Sequence, residues 1–222
     1  MARIVLLRHA HSVANEKNLL AGRTAGIALS KTGKAQAEEL VVRLGATTFD
    51  EVAISPLQRC RETIDPWLAA DGAKSPVVID ESVSEVDYGN WSGKTLASLR
   101  RKSQWKVVQD FPSQMIFPEG ESLLEMQGRA LSGFYRLNAV KGKGPRLLVS
   151  HGDVIKSIVA HCLGMHLDQF QRLVIEPASL TIIDTDSGVS RLVRFNDAKG
   201  FLTSERSTNQ SALGGSTGNS NR

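Results

Sequence analysis

The segment Arg3-Ile-Val-Leu-Leu-Arg-His9 decides the fold class of this 222-residue chain. Its four consecutive apolar residues, at positions 4–7, lack the in-and-out alternation of a half-buried strand. Such runs are typical of parallel strands that are covered on both faces. The segment ends in an arginine and a histidine, so two chemically useful side chains directly follow a buried strand. We therefore expect a layered α/β protein with a functional site beyond the end of this strand.

Three more short apolar runs predict buried strands, and helical patterns separate them. The runs lie at 52–54, 76–79 and 147–149. Helices are predicted after Ser30, after Ser55-Pro56 with Ser55 as the N-cap, after the capping box Ser122-Leu-Leu-Glu125, and over 153–163. Segments 180–184 and 189–195 flank the turn signal Asp186-Ser-Gly188 and predict an edge hairpin. This alternation of strands and helices predicts an α/β fold with a mostly parallel sheet.

These elements predict one domain over residues 1–202, in which 93–141 is an excursion that caps the sheet edge. Fourteen of the last twenty residues are Ser, Thr, Asn or Gly, so disorder is predicted for 203–222. Gly214-Gly-Ser-Thr-Gly218 matches the nucleophile-elbow motif of hydrolases. That motif needs a strand before it and a helix after it, and this tail predicts neither, so we regard the match as accidental.

Charge and composition argue against several classes of protein. The net charge is +4, but no basic cluster is longer than Arg100-Arg101-Lys102, which is unlike a dedicated nucleic-acid binder. No apolar run approaches the roughly 18 residues of a membrane helix, and the N-terminal run is too short for a secretory leader. Two cysteines do not make a disulfide framework. We expect a cytoplasmic protein without nucleic-acid or membrane partners, and its oligomeric state stays open.

Cationic and imidazole side chains follow three of the predicted strands. Arg8 and His9 follow the first strand, Arg59 lies in the first turn of the helix after the second, and His151 follows the strand at 147–149. Open α/β sheets bind ligands beyond the carboxyl ends of their strands. Guanidinium groups and a helix N-terminus at such an edge favour a dianion, and arginine suits a phosphoryl group. The pattern predicts a phosphate-ester site.

Histidine is the nucleophile that these residues favour. A cysteine phosphatase needs an arginine at a set spacing after its cysteine, and neither Cys60 nor Cys162 has one. A metal-dependent enzyme needs carboxylate clusters, and the one closely spaced aspartate pair falls at the predicted hairpin. Neutral imidazole can attack phosphorus, and the arginines near His9 disfavour its protonated form. Glu85 follows the strand at 76–79 and is expected to protonate the leaving alkoxide.

Five segments, in order, resemble the histidine phosphatase superfamily and its phosphoglycerate-mutase-like branch. They are Leu7-Arg-His-Ala-His-Ser12 with Asn15, Ser55-Pro-Leu-Gln-Arg59, Glu85-Val-Asp-Tyr-Gly-Asn-Trp-Ser-Gly93, Pro118-Glu-Gly-Glu-Ser122 and Ser150-His-Gly152. The Glu85 segment resembles phosphatase-type members, including ribazole-phosphate phosphatases, more than the glycolytic mutases. The whole chain is also similar to actinobacterial proteins described as phosphomutases. The resemblance implies a three-layer α/β/α sandwich and a two-step reaction on a small phosphorylated metabolite, without metal or cofactor.

The resemblance also implies a role for each matching position. His9 takes the phosphoryl group, Arg8, Arg59 and His151 hold its oxygens, and Glu85 is the general acid and then the base. Asn15, Gly22, Arg23 and Gly152 complete the phosphate and substrate pocket. The chain departs from the family pattern at Ala10, where the signature has glycine and where a methyl group fits if φ is negative. The acidic residue that commonly follows Gly22-Arg23 is also absent.

Three alternatives stay open. On the same site, a phosphomutase would return the phosphoryl group to another hydroxyl before water arrives, which depends on how the lid excludes water. A phospho-ligand binding module would need no chemistry, although every catalytic position is filled here. A His9–His11 metal pair would need a TIM barrel of about 250 residues, and the flanking arginines would repel a dication.

Two features near the excursion have a structural and a functional interpretation. Arg100-Arg101-Lys102 is expected to be a solvated helix face, and the alternative is contact with a second phosphate or carboxylate of the substrate. Trp91, Trp105 and Phe117 are expected to pack in the core or lid, and the alternative is recognition of a ring.

Overall fold

The computed structural model describes residues 3–186 and 189–202. The strands are β1 Arg3–Arg8, β2 Glu51–Ile54, β3 Val77–Ile79, β4 Arg146–Ser150, β5 Leu180–Asp186 and β6 Val189–Asp197. The α-helices are α1 Val13–Glu16, α2 Lys31–Leu44, α3 Gln58–Ala69, α4 Leu96–Leu99, α5 Gln104–Asp110, α6 Leu123–Asn138 and α7 Gly152–Cys162. In these two ranges, no helix is both long and apolar enough to cross a bilayer. The turn at 187–188, the predicted disorder of 203–222 and the elbow-like match all lie outside the described residues.

The strands form one sheet in the order β3-β2-β4-β1-β5-β6. The first four strands of this order are mutually parallel, β5 is antiparallel to β1, and β6 is antiparallel to β5. Both the mostly parallel sheet and the antiparallel edge hairpin are therefore confirmed. Because β1 and β4 are parallel with Arg8 opposite Ser150, the residues that follow the two strands lie at the same edge of the sheet.

Strand β1 shows how the sequence specifies three layers. Ile4 and Leu6 pack into the apolar cluster that contains residues of α6 and α7. Val5 and Leu7 point to the opposite face and pack into the cluster formed with α2 and α3. All four side chains are fully buried, because successive residues of a strand point to opposite faces and helices cover both. The three-layer α/β/α sandwich is confirmed.

Strand β3 was expected to be buried, and this expectation is wrong. It is the edge strand of the sheet, and among the described strands it pairs only with β2. Its three side chains, Val77, Val78 and Ile79, are 39%, 38% and 52% exposed. The apolar run therefore predicted the strand correctly but its burial wrongly. A strand is buried on both faces only where helices pack on both sides, and the side chains of this edge strand are not covered in that way.

The helix caps agree with the sequence at two positions and differ at a third. Ser30 caps α2, and Ser122 forms the predicted capping box with Glu125 at the start of α6. Ser55 was expected to cap α3, but that helix begins at Gln58. The Ser55 Oγ lies 2.7 Å from His151 Nε2 instead. The hydroxyl that was predicted to cap the helix therefore makes a hydrogen bond across the sheet edge.

The range predicted as an excursion, 93–141, contains two parts that pack differently. Helix α6 falls within that range, yet it packs on α7 and β4 and buries Met126, Phe134 and Leu137 in the main core. The segment before α6 contains the short helices α4 and α5. Only this earlier part contributes side chains to the cavity at the sheet edge.

Candidate active site

A cavity of about 400 Å³ opens at the carboxyl edge of the parallel strands. Seven of the nine predicted site residues line it. They are Arg8, His9, Asn15, Gly22, Arg59, Glu85 and Gly152. The other two, Arg23 and His151, lie outside the lining. The cavity therefore brings together groups from segments as far apart in the chain as β1 and α7.

His9 presents one nitrogen as a nucleophile. Its Nδ1 lies 2.8 Å from the carbonyl oxygen of Ala10, which can only accept, so Nδ1 carries the proton and Nε2 keeps its lone pair. Its backbone N–H donates to the carbonyl of Ser150 at 2.8 Å, which fixes the residue at the strand end. Burial, followed by the charges of Arg59 and Arg8, holds the pKa of His9 well below its usual range. The ring is therefore neutral at pH 7.

Ala10 and Gly22 differ in whether their backbone conformation requires glycine. Ala10 is buried and is not among the described non-glycine residues with positive φ, so its methyl group fits where the family signature has glycine. Gly22 has φ +53°, and a Cβ there would approach Ser92 Oγ to 2.9 Å. Its carbonyl accepts a hydrogen bond from Arg59 Nη2 at 2.9 Å. Glycine at this position therefore permits the positive φ and the close approach to Ser92 and Tyr88, and the resulting turn presents its carbonyl to Arg59.

Arg8 and Arg59 keep donors free beside the cavity. Arg59 Nη2 donates to Gly22 and to His151 Nδ1, whereas its Nε and Nη1 are buried with no partner among the described residues. The same holds for Arg8 Nε, although Arg8 Nη1 donates to the Ile175 carbonyl. An unsatisfied buried donor costs about 1–3 kcal/mol, and more when it is charged. Three such nitrogens beside one cavity favour the binding of an anion there.

His151 lies behind His9, with the two ring centroids 5.2 Å apart, and is fully buried. A guanidinium can only donate, so the 3.1 Å contact from Arg59 Nη2 makes His151 Nδ1 an acceptor. The Nε2–H then donates to Ser55 Oγ. Burial, followed by the charge of Arg59, holds the pKa of His151 well below its usual range. His151 thus orients Arg59, and its direct contact with phosphate oxygens stays a prediction.

Glu85 carries a buried carboxyl group at the same cavity. Burial, followed by the nearby charge of Asp153, raises its pKa to about 7. One carboxyl oxygen, Oε1, accepts from the backbone N–H of Val86 at 3.0 Å. A carboxyl with a pKa near neutrality can give up a proton and take one back at physiological pH, which is what general acid–base catalysis needs.

The segment that carries Glu85 is held from outside the cavity by Arg129 and Glu121. Arg129 Nη1 donates to the carbonyl of Ser84 at 2.6 Å, and its Nη2 donates to the carbonyl of Glu85 at 3.0 Å. The Glu121 carboxylate accepts from Arg129 Nε at 2.9 Å and from the N–H of Asp87 at 2.8 Å. These bonds clamp the backbone on both sides of the acid. No motif in the sequence pointed to Arg129.

Arg23 lies on this outer side as well. Its Nε donates to the Glu85 carbonyl and its Nη2 to Glu121 Oε1, both at 3.0 Å. Its guanidinium lines a second, open depression with Asp87 and Glu119 rather than the cavity. The carboxylate of Glu121 draws it to that position. The structure therefore places Arg23 against the backbone of the acid and away from the phosphate pocket.

Asn15 faces the cavity with its amide oriented by a cap. Its Oδ1 accepts from the backbone N–H of Ser12 at 2.9 Å and from Ser12 Oγ at 2.8 Å, in the capping box that starts α1. Because the oxygen is used in these two bonds, the amide Nδ2 is the group left to donate. The predicted role of Asn15 as a donor is consistent with this orientation.

A polar wall of the cavity, formed by Tyr88, Asp153 and Lys156, was not predicted from the sequence. The Tyr88 hydroxyl donates to Asp153 Oδ2 at 2.8 Å, and Lys156 Nζ lies 3.3 Å from Asp153 Oδ1 and 3.2 Å from Gln171 Oε1. All four residues line the cavity. One signal was available, since Asp153 and Lys156 lie in the first turns of the helix that follows the Ser150-His151 motif.

Two other residues weighed in the sequence, His11 and Cys60, do not line the cavity, although Cys60 Sγ lies 3.5 Å from His151 Nε2. His11 is absent from the cavity lining, and its Nδ1 lies 2.8 Å from Ser30 Oγ. In the described ranges, no group of three or more His, Cys, Asp or Glu side chains is placed to hold a metal ion. Cys60 is fully buried, and burial raises the pKa of its thiol to about 12, so it is protonated at neutral pH.

Comparison with known proteins identifies relatives that act on phosphate esters. The sequence model of the histidine phosphatase superfamily (branch 1) matches residues 4–198. A 2,3-bisphosphoglycerate-dependent phosphoglycerate mutase of Cytophaga hutchinsonii is 28% identical over 200 residues, which cover 88% of this chain and 89% of that protein. Phosphoserine phosphatase 1 of Hydrogenobacter thermophilus is 25% identical over 201 residues, with 88% and 92% covered.

Solved structures share the fold. The crystal structure of the alpha-ribazole phosphatase of Shigella flexneri superposes with a TM-score of 0.80 at 23% identity, over 90% of this chain and 98% of that one. The family match begins in β1 and ends after β6, so it includes every element that carries a cavity residue described above. On these grounds, the chain belongs to branch 1 of the histidine phosphatase superfamily and is an enzyme that acts on phosphate esters.

Proposed function

We propose that this protein is a phosphomonoester hydrolase that works through a phosphohistidine on His9. Its substrate is a small phosphorylated metabolite. One observation carries the proposal: a neutral imidazole with a free Nε2 shares a cavity with three unpaired guanidinium nitrogens and a carboxyl group of pKa about 7. These are a nucleophile, an anion-binding site and a proton donor.

In the first step, the lone pair of His9 Nε2 attacks phosphorus and the ester P–O bond breaks. The free donors of Arg8 and Arg59 stabilise the charge on the equatorial oxygens. The Glu85 carboxyl gives its proton to the departing alkoxide, which leaves as the alcohol. Glu85 is then a carboxylate, and His9 carries the phosphoryl group.

In the second step, a water molecule attacks the phosphorus and the P–N bond breaks. The Glu85 carboxylate takes the proton from the water as the new P–O bond forms. Inorganic phosphate leaves, and the electrons of the broken bond return to His9 Nε2. Both residues end in their starting protonation states, so the cycle needs no other reactant.

A phosphomutase is the second candidate, because a mutase of Cytophaga hutchinsonii is among the relatives. The Glu85 segment resembles the phosphatase-type members instead, and relatives of that type include phosphoserine phosphatase 1. A phosphoglycerate mutase must also hold a carboxylate in its cavity. Lys156, the one further cation among the described residues of the lining besides Arg8 and Arg59, is already paired with Asp153.

The test is release of inorganic phosphate from a panel of phosphorylated sugars, nucleotides, amino acids, glycerates and ribazole phosphate. We expect release from at least one class at a rate well above that of a His9→Ala blank. The same reactions, analysed for interconversion of 2- and 3-phosphoglycerate, measure the mutase activity. Interconversion without phosphate release would replace the hydrolase with the mutase, and silence in both assays would favour a binding module.

Chelators are expected to leave the activity unchanged. The proposed chemistry uses only protein groups, and two arginines beside the nucleophile would repel a divalent cation. Phosphate release is measured before and after dialysis against EDTA, and then with added Mg²⁺. Loss of activity in EDTA with recovery in Mg²⁺ would show that this account of the mechanism is wrong.

Arg129→Lys is expected to slow cleavage of alkyl phosphates on the order of tenfold, since a small displacement of a catalytic group has effects of this size. Arg129 makes five hydrogen bonds from three nitrogens, whereas a lysine has three donors on one nitrogen. The substitution therefore removes part of the clamp, and the acid loses its fixed position. Nitrophenyl phosphate needs little proton donation, so its cleavage should change much less.

The matched control for this variant is Arg136→Lys on the same helix. Arg136 is also ion-paired, with Glu51 and Asp80, but does not contact the segment of the acid. We expect it to leave both rates near wild type. An equal loss for alkyl and nitrophenyl phosphates in Arg129→Lys would mean that Arg129 supports folding rather than the position of Glu85.

A further inference from the structure

Beyond the phosphate-binding groups, the cavity has an aromatic wall. The rings of Trp91 and Trp105 are nearly parallel, 13° apart with centroids 6.4 Å from each other. Phe117 packs edge-to-face on Trp91 at 5.3 Å and on Tyr88 at 4.9 Å. The chain has three Trp and two Tyr residues, and two of the former and one of the latter line this single cavity.

The three aromatic residues differ in how much of their surface is buried by packing. Trp91 and Phe117 are 2% exposed, as expected of core residues. Trp105, on α5, is only half-buried and lines the cavity. It therefore has ring surface that a ligand can cover, which revises the expectation that all three residues serve packing alone.

Aliphatic side chains with accessible surface continue this wall. Leu20, Leu96 and Leu173 are half-buried, and Val174 is 62% exposed. All four line the cavity. Apolar surface that a ligand removes from water stabilises the complex in proportion to the area covered. This wall thus favours an apolar partner over a hydrated one.

Among the described residues that line the cavity, the one cation besides Arg8 and Arg59 already has partners. Arg8 and Arg59 line the cavity with His9, and their unpartnered nitrogens are assigned to the phosphoryl group in the proposed reaction. Lys156 is ion-paired with Asp153 and bonded to Gln171. The run Arg100-Arg101-Lys102 is exposed and contributes nothing to the lining, so its alternative role in binding a second phosphate or carboxylate has no support among the described residues.

We propose that the alcohol part of the substrate is uncharged and apolar, with a ring or hydrocarbon group that packs against Trp105. The proposal rests on the proposed hydrolase function and names the substrate class of that site. A carboxylate or second phosphate on the substrate would lose its hydration against this wall without a free cation to replace it, which is costly. An apolar group would lose only unfavourable contacts with water.

The first test compares alkyl esters whose leaving groups are chemically similar. kcat/KM is measured for 2-phenylethyl phosphate, ethyl phosphate, 3-phosphoglycerate and phosphoserine. We expect 2-phenylethyl phosphate to exceed each of the others at least tenfold. A higher kcat/KM for 3-phosphoglycerate or phosphoserine would overturn the apolar assignment and leave the hydrolase intact. Preference for phosphoserine would indicate that its zwitterion separates the Asp153–Lys156 pair.

The second test assigns the effect to Trp105. Trp105→Ala should lower kcat/KM for 2-phenylethyl phosphate about tenfold and leave the value for ethyl phosphate within about twofold, because the short ester does not reach the ring. Trp105→Phe should recover part of the loss. The control is Phe111→Ala, an aromatic residue next to the same helix that is 50% exposed and does not line the cavity. Equal losses for both esters in Trp105→Ala would contradict the proposal.

If no ester is hydrolysed, a binding measurement still tests the apolar substrate site separately from the hydrolase function. Calorimetry with the wild-type protein compares 3-phenylpropylphosphonate with propylphosphonate, two analogues that cannot be cleaved. We expect the phenyl compound to bind at least tenfold more tightly. Silence in the turnover assay with this preference intact would overturn the hydrolase alone, and equal affinities would overturn the apolar site.

Discussion

His9→Ala is expected to lower phosphate release by at least about 10³-fold, because loss of the nucleophile removes the covalent path altogether. The alanine has no group that can form a bond to phosphorus. The remaining cavity would still bind the phosphoryl group through Arg8 and Arg59, so affinity for a substrate should change much less than turnover. Phosphate release in single-turnover and steady-state conditions measures the first effect, and calorimetry measures the second.

The control for this variant lies two residues further along the same loop. His11→Ala removes an imidazole that contacts Ser30 and does not line the cavity, so it should keep activity within a few-fold of wild type. Brief mixing of wild-type protein with labelled substrate should leave phosphoryl label on the chain that survives alkali and is lost in acid, as expected of phosphohistidine. Label that persists in His9→Ala would assign the nucleophile to another residue.

Glu85→Gln is expected to slow cleavage of alkyl phosphates by about 10²–10⁴-fold, the usual contribution of a general acid. An amide has the shape of the carboxyl group but no proton to give to the alkoxide. Nitrophenolate is stable without protonation, so nitrophenyl phosphate should lose far less rate. The ratio of kcat/KM for the two esters, in wild type and variant, measures the effect.

The pH dependence follows from the pKa of about 7 for Glu85 in the free protein. Below pH 7 the carboxyl is protonated and ready to act as the acid, so kcat/KM for an alkyl ester should fall as the pH rises through about 7. In Glu85→Gln this fall should disappear, and only the ionisation of the substrate should remain. A profile that is unchanged in the variant, or equal rate losses for both esters, would remove Glu85 from the acid role.

The two reactive groups depend on the same physical cause. Burial disfavours the charged form of each, so it lowers the pKa of His9 and raises that of Glu85. The arginines act in the same direction on His9, whereas on Glu85 the charge of Asp153 adds to the upward shift. As a result, a neutral nucleophile and a protonated acid exist together near pH 7, which the ordinary pKa values of the two residues would not allow.

The sequence by itself determined the strands and the sheet edge at which the cavity lies, whereas the three layers were implied by the resemblance to the family. Apolar runs identify parallel strands, and the ends of parallel strands must meet at one edge, so Arg8, His9 and Arg59 were predicted together without knowledge of any contact. The Glu85 segment could be placed by the same reasoning and by its resemblance to the family.

Only the tertiary structure decided which of these groups face the cavity and what surrounds them. In the structure His151 packs against His9, and Ser55 bonds to His151 instead of capping α3. Arg23 lies outside the cavity, where it bonds to Glu121. No motif in the sequence pointed to the Arg129 clamp. Trp91, Trp105 and Phe117 were expected to pack, and only the structure showed that Trp105 is half-buried and lines the cavity. Each depends on side chains from distant segments that compete for a few hydrogen bonds and a limited volume, and local patterns along a chain carry no information about that competition.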